Sequence, residues 1–177
     1  MAEPLRIDLE ALALRSGEAE RLEIDLVAEA PLLGGEELTI EATPIATTID
    51  VSRTTSGYAL RLRADAAVLA TCARCLEPAR LELAIDAREV DQNGSVDSDL
   101  RRDSDLRSPY VADGLLDPVR WLHDAVVLAL PERVLCRPDC AGLCPVCGIS
   151  LNDVDPATHV HEREPDPRFA KLRELLD

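Results

Sequence analysis

The chain has 177 residues, 46% hydrophobic and only 2% aromatic, with a net charge of −15. That length suits one domain, or one domain with a small appendage, whose core must be built mainly from Leu, Val, Ile and Ala. The charge opposes long-range attraction to nucleic acid or anionic membrane, and no stretch approaches the ~18 apolar residues of a membrane span.

The opening "MAEPLRIDLEAL" lacks the basic and apolar regions of a secretory signal. A cytoplasmic protein is therefore expected, in which thiols stay reduced. From Leu5 to about Val90 the pattern is largely period two. In "YALRLR", Tyr58, Leu60 and Leu62 fall on one face and Arg61 and Arg63 on the other; "RLELAID" alternates in the same way. Such alternation, broken by turn signals such as Ser56-Gly57, predicts an antiparallel β-sheet or a partly closed barrel over residues 5–90. "LEALAL" near the start fits a short helix equally well.

Residues 91–113 are rich in Asp and Ser without apolar periodicity, which predicts an acidic, solvated, mobile loop. A segment over 114–135 then returns to the same domain. In it, Asp117 suits an N-cap and Pro118 the first helical position, and Val119, Leu122, Val126 and Ala129 recur at helical spacing until Pro131. The spacing predicts one helix over about 118–130, covering the sheet, with His123 at its rim. The remaining segment, 136–177, holds most of the cysteines and ends in "DPRFAKLRELL", where the cap logic and the apolar stripe predict a short terminal helix. The expected class is α+β.

Charge is uneven. Residues 1–49 carry eleven acids against three arginines, a net of −8; residues 50–88 carry six arginines against five acids, a net of +1; the rest sums to −8. If any surface meets RNA, the arginines of the middle part, Arg53, Arg61, Arg63 and Arg74, are the candidates.

The six cysteines form three pairs: Cys72 with Cys75, Cys136 with Cys140, and Cys144 with Cys147 inside "CPVCG". In a reduced protein such spacing favours metal over disulfides. Eleven residues separate Cys147 from "HVH", which holds His159 and His161. Six thiolates and two imidazoles are enough for two closed tetrahedral zinc sites. The preferred partition joins Cys144, Cys147, His159 and His161 locally, and ties Cys72 and Cys75 to Cys136 and Cys140 across 60 intervening residues. The rival partition puts all four cysteines of "CRPDCAGLCPVC" on one ion. Thiol redox chemistry at Cys72 and Cys75 would want a helix start in a βαβ setting, not antiparallel sheet.

"TCARCLEP", the helix "LHDAVVLALP" and "CRPDCAGLCPVCGISLN" followed by "HVHEREPDPRFAKL" together resemble the YceD family, the large ribosomal RNA subunit accumulation proteins. The likeness runs over nearly the whole chain and is most specific from Cys136 to Leu172 and from Cys72 to Pro78. In the family, Cys72 and Cys75 correspond to a C-x-R-C hairpin motif. Some members carry a terminal C-x-C where this chain has His159 and His161, and others lack the CPxCG turn and the terminal pair together, which supports grouping those four residues. The resemblance implies a cytosolic factor for large-subunit ribosomal RNA accumulation and large-subunit assembly, without catalytic activity or small-molecule substrate. The expected partner is a large-subunit precursor, through a basic ribosomal protein and secondarily through ribosomal RNA. A zinc-stapled regulatory adaptor unrelated to ribosomes is the alternative.

Overall fold

The computed structural model describes residues 5–92, 106–155 and 158–161. Its strands are β1 (Ile7–Asp8), β2 (Ala19–Leu26), β3 (Leu32–Leu33), β4 (Glu36–Glu37), β5 (Thr39–Ile40), β6 (Ile45–Arg53), β7 (Gly57–Thr71), β8 (Pro78–Gln92), β9 (Val111–Ala112) and β10 (Leu115–Leu116). One helix, α1, spans Pro118–Ala129. Among the described residues the architecture is mostly antiparallel sheet with one helix.

The main sheet is open. β2 pairs with β6, β6 with β7, and β7 with β8 along its full length; β5 continues β6's side of β7 beyond the end of β6. β2 and β8 stand at opposite edges and do not pair, so the barrel alternative is not what forms. Alternation explains the sheet directly. Ile49, Val51, Leu60, Leu62, Val68, Leu83 and Ile85 point to one buried face, while Asp50, Arg61, Arg63 and Asp86 point to the other.

The helix closes the buried face. Asp117 Oδ1 accepts the Arg120 N–H at 3.1 Å, Pro118 starts the first turn, and the Asp117 carboxylate also pairs with Arg6. Trp121, Leu122, Ala125 and Val126 enter the same core as the sheet residues. His123 sits at the rim, its Nδ1 beside the Glu29 carbonyl at 3.2 Å.

Two features escape periodicity because their strands have only two residues each. β1, β10 and β9 form a small three-stranded sheet, and β3 and β4 form a hairpin. "LEALAL" is a turn rather than a helix. The described end of the expected acidic loop, 106–113, is ordered: Ser108 is buried and its N–H meets Asp91 Oδ1, and Val111–Ala112 pair with Leu115–Leu116. Residues 93–105 of that loop, and the expected terminal helix, lie outside the described residues.

Candidate metal centres

β7 and β8 form a long hairpin whose tip, residues 72–77, carries the first thiol pair. The tip is a hydrogen-bonded turn: Cys72 N–H donates to Glu77 O at 2.9 Å, and Leu76 N–H donates to Cys72 O at 3.0 Å. The same turn recurs at the third pair. There Cys144 N–H donates to Ile149 O and Gly148 N–H donates to Cys144 O, both at 2.8 Å. Each turn places two sulfurs on one side and needs a left-handed residue just after the second cysteine. Gly148 supplies it at φ 73°, where glycine has no steric penalty. Leu76 supplies it at φ 64° with a side chain that is 65% exposed. Leu76→Gly is therefore expected to stabilise the protein, by about 0.5–1 kcal/mol, because strain is relieved and little packing is lost. An unchanged or lowered denaturation midpoint would contradict this.

The two turns feed two separate groups. Cys72, Cys75, Cys136 and Cys140 form one; Cys144, Cys147, His159 and His161 form the other; within each, all four ligand atoms lie within 4.8 Å of one another. The four cysteines between 136 and 147 thus divide between the groups, as the preferred partition has it, and the rival grouping does not form.

The separations suit a metal. Sulfurs held at about 2.3 Å by a tetrahedral zinc ion lie roughly 3.8 Å apart. Cys72 and Cys140 Sγ are 3.8 Å apart, and Cys75 and Cys136 Sγ are 3.5 Å apart. In the second group, Cys147 Sγ lies 3.6 Å from His159 Nε2, and the two histidine Nε2 atoms converge to 3.0 Å with their rings nearly perpendicular. Both groups can hold a metal ion.

Their surroundings differ. Cys72, Cys75 and Cys140 are buried, and with Ala79 and Val134 they make a small apolar cluster distinct from the main core. In the second group only Cys144 is buried; Cys147 is exposed and His159 half-buried. Burial pushes the Cys72 thiol up, but the backbone N–H groups of Cys75, Arg74 and Cys136 outweigh it and bring the thiol down to about 6. Burial is likewise overcome at Cys140 by the Asn152 amide and the Gly142 N–H. Cys136 goes the other way, pushed up to about 12 by sharing with Cys75 and by burial. At Cys144 the Cys147 N–H, His159 and the Val146 N–H lower the thiol to about 6. Each group thus contains thiols biased toward thiolate, the form that binds metal, beside partners whose protons a cation would displace.

Several residues that hold the sites together carry no motif signal. Arg74, a candidate RNA contact by sequence, instead donates from Nη1 to the Cys140 carbonyl at 2.8 Å and so clips the hairpin tip to the segment after the helix. Gly142 packs on the Arg74 backbone; a Cβ there would sit 3.1 Å from Arg74 O. The Ala73 N–H reaches Val134 O at 2.9 Å. Asn152 braces the four-thiol group: its Nδ2 lies 3.5 Å from Cys140 Sγ, and its Oδ1 accepts the Ala141 N–H at 2.8 Å. Only a fixed position two residues after Ser150 would have marked Asn152 out, and periodicity does not see it.

The remaining arginine candidates do not form one basic surface. Arg53 lies over the Tyr58 ring, 4.6 Å from its centroid. Arg61 and Arg63 share the solvent face of the sheet, but each meets a carboxylate: Arg61 holds Asp86 with two bonds, of 2.7 and 2.8 Å, and Arg63 Nη2 holds Asp50 at 2.8 Å. Arg21 and Arg88 complete these pairs, at 2.7 Å from Asp50 and 3.6 Å from Asp86.

The family model described as "Large ribosomal RNA subunit accumulation protein YceD" matches residues 60–176, which takes in both metal groups. The chain belongs to the YceD family. Uncharacterised proteins of Mycobacterium tuberculosis and Mycobacterium bovis are each 33% identical over 179 residues, covering 99% of this chain and 83% of theirs. A maize protein named as a chloroplastic YCED homolog 1, a large ribosomal RNA subunit accumulation protein, is 28% identical over 147 residues, covering 66% of this chain and 48% of its own. No solved structure matches. Among the described residues no helix is long and apolar enough to cross a membrane.

Proposed function

We propose that this YceD-family protein is a non-enzymatic, cytoplasmic factor for large-subunit ribosomal RNA accumulation and large-subunit assembly, built around two structural zinc ions. The observation that carries the reading is the family match over residues 60–176, supported by the name of the maize relative. A binding role rather than catalysis is supported by the donor sets. Each offers four protein ligands, and a closed tetrahedron leaves no position for substrate. Zinc is favoured over other metals by tetrahedral sulfur and imidazole donors. When bound, zinc supplies cross-linking: the four-thiol group ties the β7–β8 hairpin tip to the segment beyond α1, and the second group closes the 144–161 loop.

The partner within the precursor is a basic ribosomal protein, with ribosomal RNA contact secondary. The net charge of −15 favours the first, and the carboxylates already paired with Arg61 and Arg63 disfavour the second. Depleting the protein in its host should lower the ratio of large- to small-subunit ribosomal RNA, and the tagged protein should co-sediment with large-subunit precursors. An unchanged ratio with the protein remaining at the top of the gradient would favour an adaptor with no ribosomal role.

A further inference from the structure

The solvent face of the sheet carries a groove of about 660 Å³ where β7 and β8 run past the end of β6. Strand register lays out its floor and walls. Ala67 faces Glu82 across the β7–β8 pair, and the Glu41 N–H bonds the Ala67 carbonyl at 2.8 Å, so Glu41, Ala67 and Glu82 form one cross-strand row. Asp65 faces Ala84 in the next row. The floor is small and apolar, and the walls are carboxylates.

One cation already lies in this groove. Arg80 reaches across from β8, giving Nε to Glu41 at 2.8 Å and Nη1 to Glu82 at 2.6 Å. The chain's own guanidinium thus shows the mode of occupation: a charged head held between two carboxylates. Asp65 is exposed and has no ion-pair partner among the described residues. The arginines elsewhere on the face are each committed to Asp50 or Asp86. A phosphate brought here would meet Asp65, Glu41 and Glu82, and could gain an arginine only by unpairing one of these carboxylates. β8 is also an edge strand among the described residues. A segment lying extended along it would present alternate side chains to the groove about 6.6–6.8 Å apart.

We infer that this groove, between Glu41, Asp65 and Glu82 over Ala67 and Ala84, receives lysine or arginine side chains of an extended basic protein segment. The inference rests on the reading that the partner is a basic ribosomal protein, and it names the surface that partner uses.

The test uses the full, zinc-loaded chain and two probes, a 12-residue peptide of alternating arginine and alanine and a 12-nucleotide single-stranded RNA. Amide chemical shifts report where each binds. The peptide should move the amides of Asp65, Ala67, Glu82 and Ala84, and its affinity should fall with salt. The double variant Asp65→Asn, Glu82→Gln should weaken it about tenfold. The control Glu23→Gln, Asp25→Asn makes the same charge change elsewhere on the face and should cost less than twofold. Equal weakening by both variants, absence of peptide binding, or RNA moving the same amides would overturn the groove. In cells, wild type that co-sediments with large-subunit precursors as strongly as the Asp65→Asn, Glu82→Gln variant would overturn the groove and leave the ribosomal reading standing. If the wild type itself does not co-sediment, the ribosomal reading fails, and the peptide titration still decides the groove.

Discussion

Cys72→Ser is expected to abolish the cooperative unfolding transition of this protein near physiological temperature, or to lower its midpoint by tens of degrees. The four-thiol group sits at the tip of the longest hairpin and is the link between that tip and the chain beyond α1. Cys72 is fully buried, and its sulfur faces Cys140 across 68 residues of sequence. A structural zinc ion contributes on the order of 10 kcal/mol to folding, whereas a domain's whole net stability is about 5–15 kcal/mol. Loss of this ion therefore removes a share comparable to the total. The contacts left at the junction are the small apolar cluster with Ala79 and Val134, the Arg74 guanidinium on the Cys140 carbonyl and the Ala73 N–H on the Val134 carbonyl, the two hydrogen bonds worth about 1–3 kcal/mol each. Thermal melts followed by circular dichroism, with metal measured on the same sample, check this. A variant that keeps its melting point while losing one metal ion would show that the hairpin tip is held by packing alone.

Cys144→Ser should lose one metal ion as well, yet leave the main transition in place. Its group is local, three of its members lie between 147 and 161, and none of those three is buried. Without the ion, the turn that closes Cys144 on Ile149 and the bridge between Leu143 and Ser150 have little else to hold them. Amide exchange should accelerate by at least a hundredfold at Gly148 and Leu151, whose N–H groups donate to Cys144 and Gly142. It should be nearly unchanged at Leu62 and Val68 in β7. Asn152 reaches back to Cys140, so a smaller increase is expected beside the four-thiol group. Global acceleration in β7 would mean that the two groups are one cooperative unit.

The sheet was legible because its strands are half-buried and long enough to show alternation: β7 and β8 have 15 residues each and carry "YALRLR" and "RLELAID". The helix was legible from Asp117, Pro118 and the apolar stripe, since cap chemistry and burial agree there. The metal groups were legible because ligand spacing is a local constraint, and a C-x2-C turn repeats its backbone hydrogen bonds wherever it occurs. What charge counting could not show is direction. The net of +1 over residues 50–88 says nothing about which face each arginine takes, and pairing across strands with Asp50 and Asp86 neutralises Arg61 and Arg63. Arg74 reads as a surface cation in sequence but serves as a clip, because the hairpin tip folds back on the segment carrying Cys140. Strands of two residues have no period to detect, so the small sheet of β1, β10 and β9 appears only in three dimensions.

The most direct measurement is native mass spectrometry of the protein purified under reducing conditions, before and after a chelator. Two closed four-ligand groups predict two zinc ions per chain. The ion held by exposed Cys147 and half-buried His159 should leave first, and the ion in the four-thiol group, three of whose cysteines are buried, should leave only with unfolding. A mass with no bound zinc, or with a single ion lost in one step together with the fold, would contradict the account.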